Sequence, residues 1–265
     1  MSRIAVIAGQ GALPQAVIDA LDDPLVYALD GFAPSVPATP FRLERLVPFL
    51  DTLIEAGVDR VTFAGAVRRP RLDPEAFDPR TAQLVPRILT AMQSGDDAAL
   101  RTVLDIFEEH DLTICGVEQI APRLIPAAGI LTGEPSDADR RDAARAAEIL
   151  AQTGHLDLGQ GVVVAQGLCL ALETLPGTRA MLDFAAAHAD LKRGRGVFYK
   201  APKPGQDRRI DLPTLGPDSV DQAAAAGLAG IAWQAGSVIL LDRDEAVRRA
   251  KAAGLFLWAR SEMDI

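Results

Sequence analysis

A chain of 265 residues with a hydrophobic fraction of 49% is long enough for two domains, each with an ordinary packed core. Its net charge of −9 excludes a general nucleic-acid binder, which would carry a basic field. Basic residues do cluster locally, at Arg68, Arg69 and Arg71 and again from Lys192 to Arg209, a pattern that suits one small anionic ligand better than a polymer.

The opening segment MSRIAVIAGQG lacks the apolar stretch and small-residue cleavage site of a signal peptide. No apolar run reaches the ~18 residues of a membrane-spanning helix. The expectation is a soluble, cytoplasmic protein that can still visit a membrane surface. Cys115 and Cys169 both sit in apolar runs without metal-type spacing and are expected as buried free thiols.

Ile4–Ala8, an apolar run ended by Gly-Gln-Gly, predicts a buried strand. A helix follows over Leu13–Leu21, with Pro14 suited to its first turn. Leu25–Leu29 predicts a second strand, Leu46–Ala56 a helix stopping at Gly57, and Val61–Ala64 a third strand. This alternation implies a parallel sheet flanked by helices. Leu84–His110 reads as helix, with Leu100, Val103, Leu104 and Phe107 on one face and Ser94 and Asp96 as caps. Thr113–Val117 predicts a strand. The segment 127–139 turns to Gly, Pro, Thr, Ser and Asp, which places a domain boundary there.

The second half repeats the mixed texture. Helices are predicted over Arg140–Thr153, Thr178–Leu191, Pro217–Ala226 and Glu245–Ala253. Strands are predicted on either side of Gly167 and over Val197–Lys200, Ile231–Gln234 and Val238–Leu241. The fold class is therefore α/β, with an N-terminal domain over 1–130 and a C-terminal domain over 136–265.

Four segments carry candidate chemistry. AGQGALP, Ala8–Pro14, sets glycines between a strand and a helix, where exposed backbone N–H groups suit phosphate; a tight turn without a ligand explains it equally. Pro14 stands at the third glycine position of a dinucleotide fingerprint, and no Lys-Ser/Thr pair follows as in a P-loop. GAVRRPRLDP brings Arg68 and Arg69 to a strand end, where arginine forks match phosphate oxygens and where a solvated patch is the plain alternative. Asp96 and Asp97 either cap a helix or hold Mg²⁺ directly or through water.

The densest constellation is KAPKPGQDRRIDLPTLGP, Lys200–Pro217. Its prolines and glycines stiffen a loop in which lysines and arginines would neutralise a pyrophosphate. Asp207 and Asp211 would hold a metal or activate water. The scattered His110, His155 and His188 support no zinc site, and no nucleophile motif appears, so metal-activated water fits better than a covalent route.

Taken in order, AGQGALP, FAGAVRRP, SGDDAALR, DLGQGVVV, PGTRAML, the 200–217 loop and AGLAGIAWQAG resemble the LpxI family of UDP-2,3-diacylglucosamine pyrophosphatases, from about Ile4 to Leu257. The resemblance implies a family-specific fold of two α/β domains closing around a central cleft. It implies Mg²⁺-dependent cleavage of UDP-2,3-diacylglucosamine to UMP and 2,3-diacylglucosamine 1-phosphate (lipid X), by water attack on the phosphorus nearer the sugar. The implied setting is lipid A biosynthesis in a Gram-negative cytoplasm, at the inner-membrane surface, with no nucleic-acid partner and a homodimer left open. The family signature falls here on Lys200, Lys203, Gln206, Asp207, Arg208, Asp211 and Thr214. The amino-terminal motifs fall on Gly9, Gln10, Gly11, Arg68, Arg69, Asp96 and Asp97. Asp207, Asp211, Asp96 and Asp97 are the implied metal set.

Two positions depart from the family pattern. Gln234 stands where glutamate is common, and Ala225 where many members carry an acid. If that acid binds magnesium, the resemblance implies an impaired or substrate-trapping chain; if position 225 merely varies, alanine is only a good helix former. Two other readings stay open at this point. The early Gly-x-Gly and Asp30 keep an NAD(P)-linked oxidoreductase in play, and Ala225 keeps a non-catalytic binder of a lipid-linked nucleotide. The apolar runs Val162–Leu172 and Leu228–Trp233 could line an acyl groove, with core packing as the alternative.

Overall fold

Burial begins with the first apolar run. In a computed structural model that describes residues 3–67, 72–93, 96–188, 195–261 and 264, every residue from Ile4 to Ala8 is buried. The chain divides into two units. The first is Met1–Pro122 together with Asp207–Asp211; the second is Arg123–Gln206 with Leu212–Ile265.

Along the chain, unit 1 contains β1 (Arg3–Ala8), α1 (Leu13–Ile18), β2 (Leu25–Leu29), β3 (Thr39–Phe41), α2 (Leu46–Glu55) and β4 (Val58–Ala64). It continues through α3 (Pro79–Ala82), α4 (Val85–Gln93), α5 (Asp96–Glu108), β5 (Thr113–Ile114) and α6 (Val117–Ile120). Its five strands run parallel in the order β3-β2-β1-β4-β5. Parallel strands covered on both faces read as continuous apolar runs, which is why β1 and β2 were visible in the sequence. Leu46, Val47, Phe49, Leu50 and Leu53 give α2 a buried stripe at helical spacing. Phe49 stacks on Phe41 at 4.1 Å and meets Tyr27 edge-on at 5.1 Å. Burying each such side chain contributes about 1.5–3 kcal/mol.

Unit 2 contains β6 (Gly129–Thr132), α7 (Asp137–Thr153), β7 (Gly161–Ala165), β8 (Leu168–Leu172), α8 (Gly177–His188) and β9 (Val197–Lys200). There follow β10 (Thr214–Leu215), α9 (Pro217–Ala225), β11 (Gly230–Gln234), β12 (Ile239–Leu240), α10 (Arg243–Ala253) and β13 (Phe256–Arg260). The main sheet is ordered β6-β13-β11-β9-β7-β8, with β13, β11 and β9 parallel and β6, β7 and β8 antiparallel to their neighbours. Strand alternation sends Val163, Phe198, Ile231, Trp233 and Leu257 into one core, and Val162, Val164, Tyr199, Ala232 and Trp258 into the other. Of the two expected acyl-groove runs, Leu228–Trp233 is thus largely core, whereas Val162–Leu172 is core at Val162–Val164 and exposed over 166–169, with Leu168 at 70%.

The β7–β8 hairpin turns through Gln166 (φ 53°) and Gly167 (φ 76°), the two left-handed residues a tight hairpin needs. The buried Asp142 of α7 accepts from both of their N–H groups, at 2.9 and 2.7 Å.

Several expectations require correction. The single helix over Leu84–His110 is two helices, α4 ending at Gln93 and α5 starting at Asp96; Ser94 lies outside the described residues. The strand expected over Thr113–Val117 is only two residues long, because Val117 starts a helix under Gly116. The boundary segment 127–139 holds β6 and the Ser136–Asp139 capping box of α7 rather than a bare linker. The closing helix is followed by β13, an interior strand the sequence reading omitted. Cys115 is buried as expected, whereas Cys169 is exposed on β8. No helix among the described residues is long and apolar enough to cross a membrane.

Candidate functional site

In unit 1, Gly9–Gly11 and the Asp207–Asp211 stretch lie at the carboxyl ends of β1 and β5, the end where open α/β sheets usually take ligands. The turn after β1 lies against the turn after β4. Gly9 N donates to Ala64 O at 2.7 Å, Gln10 N to Ala66 O at 2.8 Å, and Ala66 N to Gln10 O at 2.9 Å. The N–H groups of Gly9 and Gln10 are therefore spent within the chain. Gly9 has a packing reason to be glycine: a Cβ there would sit 2.6 Å from Ala66 O and 2.7 Å from Gly65 C. Gly11 is exposed with φ +96°, and its carbonyl accepts from Ser35 Oγ. Arg68 and Arg69 lie outside the described residues, as do the side chains of Asp96 and Asp97.

The 200–217 loop is divided between the units. Its middle, Asp207–Asp211, belongs to unit 1, where Ile210 packs on the core and Gly116, after β5, leaves room for the backbone of Arg209. The guanidinium of Arg209 donates to Asp207 through Nε and Nη2, the latter at 2.7 Å, and to Glu108 Oε1 through Nη1 at 2.6 Å. Asp207 Oδ1 also accepts from Arg209 N at 3.0 Å. These bonds hold the Asp207 carboxyl below the ordinary carboxylate range and raise the already high Arg209 value. Arg208 pairs with Glu118 at 3.1 Å. Asp211 follows, its N–H on Asp207 O.

Unit 2 holds the two ends of the loop. Lys200 terminates β9 and is only 7% exposed; its Nζ donates to Thr178 Oγ1 at 2.9 Å and to Thr214 O at 3.3 Å. Lys203 Nζ pairs with Asp157 at 2.5 Å. The buried Gln206 accepts on Oε1 from Lys203 N at 3.0 Å and from Gln160 Nε2 at 2.9 Å, which pins the turn. Thr214 lies in β10 with its hydroxyl on Leu212 O. Ala225 is the exposed last residue of α9, ahead of the left-handed Gly227.

The structure thus brings Lys200 and Thr214 together, joins Lys203 to Gln206, and joins Asp207 to Arg209, which the sequence reading had not chosen. It also adds Glu173, Thr178 and Glu108. Thr178 stood in the quoted PGTRAML motif; the two glutamates offered no signal beyond their charge. A cavity of about 690 Å³ in unit 2, lined among others by Glu134, Ser136, Asp139, Arg195 and Lys251, includes none of the residues singled out from the sequence.

The described carboxylates do not make a Mg²⁺ cage. Among the described residues no three His, Cys, Asp or Glu side chains converge as a metal site, and Arg209 occupies both oxygens of Asp207. A carboxylate neutralised by a bidentate guanidinium is a poor partner for a second cation.

The sequence is matched by the model of the LpxI N-terminal domain over residues 3–124 and by that of the LpxI C-terminal domain over residues 127–258. The chain belongs to the LpxI family. The curated UDP-2,3-diacylglucosamine pyrophosphatase LpxI of Caulobacter vibrioides is 36% identical over 271 residues, covering 97% of each chain. The LpxI domain boundary at 124–127 falls close to the division of the structural units at Pro122–Arg123. In this LpxI chain the Gly-x-Gly turn is the contact between the β1 and β4 turns.

Proposed function

We propose that the chain hydrolyses the pyrophosphate of UDP-2,3-diacylglucosamine to UMP and 2,3-diacylglucosamine 1-phosphate. The observation that carries this is the end-to-end similarity to the Caulobacter vibrioides pyrophosphatase, supported by both LpxI domain models. Water attacks the phosphorus nearer the sugar, the bridging P–O bond breaks, and UMP leaves with the bridging oxygen. Lys200 suits the developing charge on the pyrophosphate: it is a buried ammonium whose position is fixed by two hydrogen bonds. Lys203, held by Asp157, serves the same anion. Gln206 pins the turn that carries Lys203.

Dependence on Mg²⁺ belongs to the proposal on the strength of the family resemblance. Asp207 is already engaged by Arg209, which leaves it a poor ligand for that metal. Work at the inner-membrane surface follows from a substrate that carries two acyl chains.

The deciding assay incubates the purified chain with UDP-2,3-diacylglucosamine, with and without Mg²⁺, and measures UMP and retained substrate. Metal-dependent UMP release supports the hydrolase. Retained substrate with no UMP at any Mg²⁺ concentration makes the chain a binder, and recovery of turnover in Ala225→Asp would then assign the defect to that position. Neither binding nor release refutes the reading. Co-flotation with anionic lipid vesicles tests the membrane part.

A further inference from the structure

One half-buried carboxylate, with one oxygen fully buried, has no part in the reading above. Glu173 lies between β8 and α8, with its backbone fixed at both groups: Glu173 N donates to Gly161 O at 2.8 Å, and Gly159 N donates to Glu173 O at 3.0 Å. Its Oε1 accepts from Thr178 Oγ1 at 2.8 Å. Its Oε2 is buried and has no hydrogen-bond partner among the described residues. A Cβ on Gly161 would lie 2.6 Å from that oxygen, so the glycine opposite Lys200 in the β7–β9 register makes room for the carboxylate. A buried carboxylate oxygen without a donor is costly and calls for a compensating role.

The hydrogen-bond directions are fixed by chemistry. An ammonium has only donors, so Lys200 must donate to the Thr178 hydroxyl. The single hydroxyl proton is then left for Glu173. The order runs Lys200 Nζ–H to Thr178 O–H to Glu173 carboxylate, charge-assisted at both ends.

We propose that Glu173 is a positioning residue for Lys200, acting through the Thr178 hydroxyl so that the buried ammonium stays charged and aimed for the pyrophosphate. This rests on the functional reading of Lys200 given above. The neighbouring strands β7, β10 and β11 bring no ionisable side chain to Lys200, and the Arg179 and Asp183 of α8 are exposed. The bonds through Thr178 link Glu173 to Lys200.

The test uses the full chain and three variants. Glu173→Gln keeps the shape and removes the charge, Thr178→Val breaks the relay, and Thr178→Ser preserves it. In UMP release, kcat should fall about tenfold in Glu173→Gln and Thr178→Val, with KM changed little and Thr178→Ser within about twofold of the unaltered chain. Wild-type turnover in folded Glu173→Gln overturns the proposal, as does a Thr178→Ser variant as impaired as Thr178→Val. A second measurement needs no substrate: a lysine ¹³Cε NMR titration, with the Lys200 signal assigned by Lys200→Arg. Its midpoint should move down by roughly one pH unit in Glu173→Gln; an unmoved midpoint overturns the coupling. If the unaltered chain releases no UMP, the functional reading fails, while the titration still decides whether Glu173 and Lys200 are linked.

Discussion

Replacing Gly9 by alanine separates a packing role from a ligand role in the AGQGALP turn. The added Cβ would lie 2.6 Å from Ala66 O, 2.7 Å from Gly65 C and 2.8 Å from Gly65 O, all backbone atoms that no rotamer change can withdraw. Gly65 cannot give way easily either: its own φ is +97°, and Gln10 O stands 2.7 Å from the Cβ position there. Relief requires the two turns to part by roughly 0.8 Å to reach ordinary contact. That movement stretches the paired bonds between Gln10 and Ala66, now 2.8 and 2.9 Å, beyond good geometry. Two weakened bonds at about 1 kcal/mol each and an overpacking cost of about 1–3 kcal/mol give roughly 3–5 kcal/mol. For a chain of this size the melting temperature should fall by about 10 °C. Urea denaturation followed by far-UV circular dichroism reads the loss. Gly11→Ala, with no atom within 4 Å of the new Cβ, should cost about 1–2 kcal/mol through its positive φ alone. The reasoning is refuted if Gly9→Ala stays within about 0.5 kcal/mol of the parent. A stable Gly9→Ala with a raised KM would return the turn to phosphate binding.

Three further outcomes are expected. Asp142→Ala should lower stability by about 2–4 kcal/mol in urea, since it leaves the Gln166 and Gly167 N–H groups without their carboxylate. Gln206→Leu should cost about 1–3 kcal/mol and reduce kcat/KM for UMP release, because it frees Lys203 N and Gln160 from the oxygen that pins the loop. The Asp207 carboxyl is held below its ordinary value, so its pairing with Arg209 stabilises the fold above the unfolded carboxylate range and is lost as pH falls through the lowered value. The stability gap between the parent and Arg209→Met, measured by urea titration, should therefore be widest near pH 7 and close as pH falls below the ordinary carboxylate range. A gap that is constant with pH would show that the pair contributes through packing alone.

The sequence carried unit 1 well because its strands are buried on both faces and its helices carry one apolar stripe; β1, β2 and α2 declare themselves by periodicity alone. Elements without such a signature were lost. The strand β3 is three residues with Pro40 at its centre, and β6 opens on two exposed residues inside a Gly/Pro-rich stretch. The interior strand β13 did have a signal, an apolar run directly after the left-handed Gly254 that ends α10. At the candidate site, spacing identified the stiff loop but not its partners. Arg209 rather than Arg208 holds Asp207, and Glu108 answers it from about a hundred residues earlier, a pairing that only the folded chain creates. Glu173 was invisible for the same reason: its role depends on a glycine opposite Lys200 in an antiparallel register.

The assignment of Asp207–Asp211 to the first unit has a consequence for synthesis. When Pro122 leaves the ribosome, that unit still lacks five of its residues, and the whole of Arg123–Gln206 must be translated before they arrive. At about 5–20 residues per second this is a wait of several seconds, during which Glu108 and Glu118 have no arginine partners and the place of Ile210 on the core stands empty. The nascent amino-terminal half therefore stays unfinished until the signature loop docks. A gene fragment ending at residue 122 inherits that unfinished state permanently.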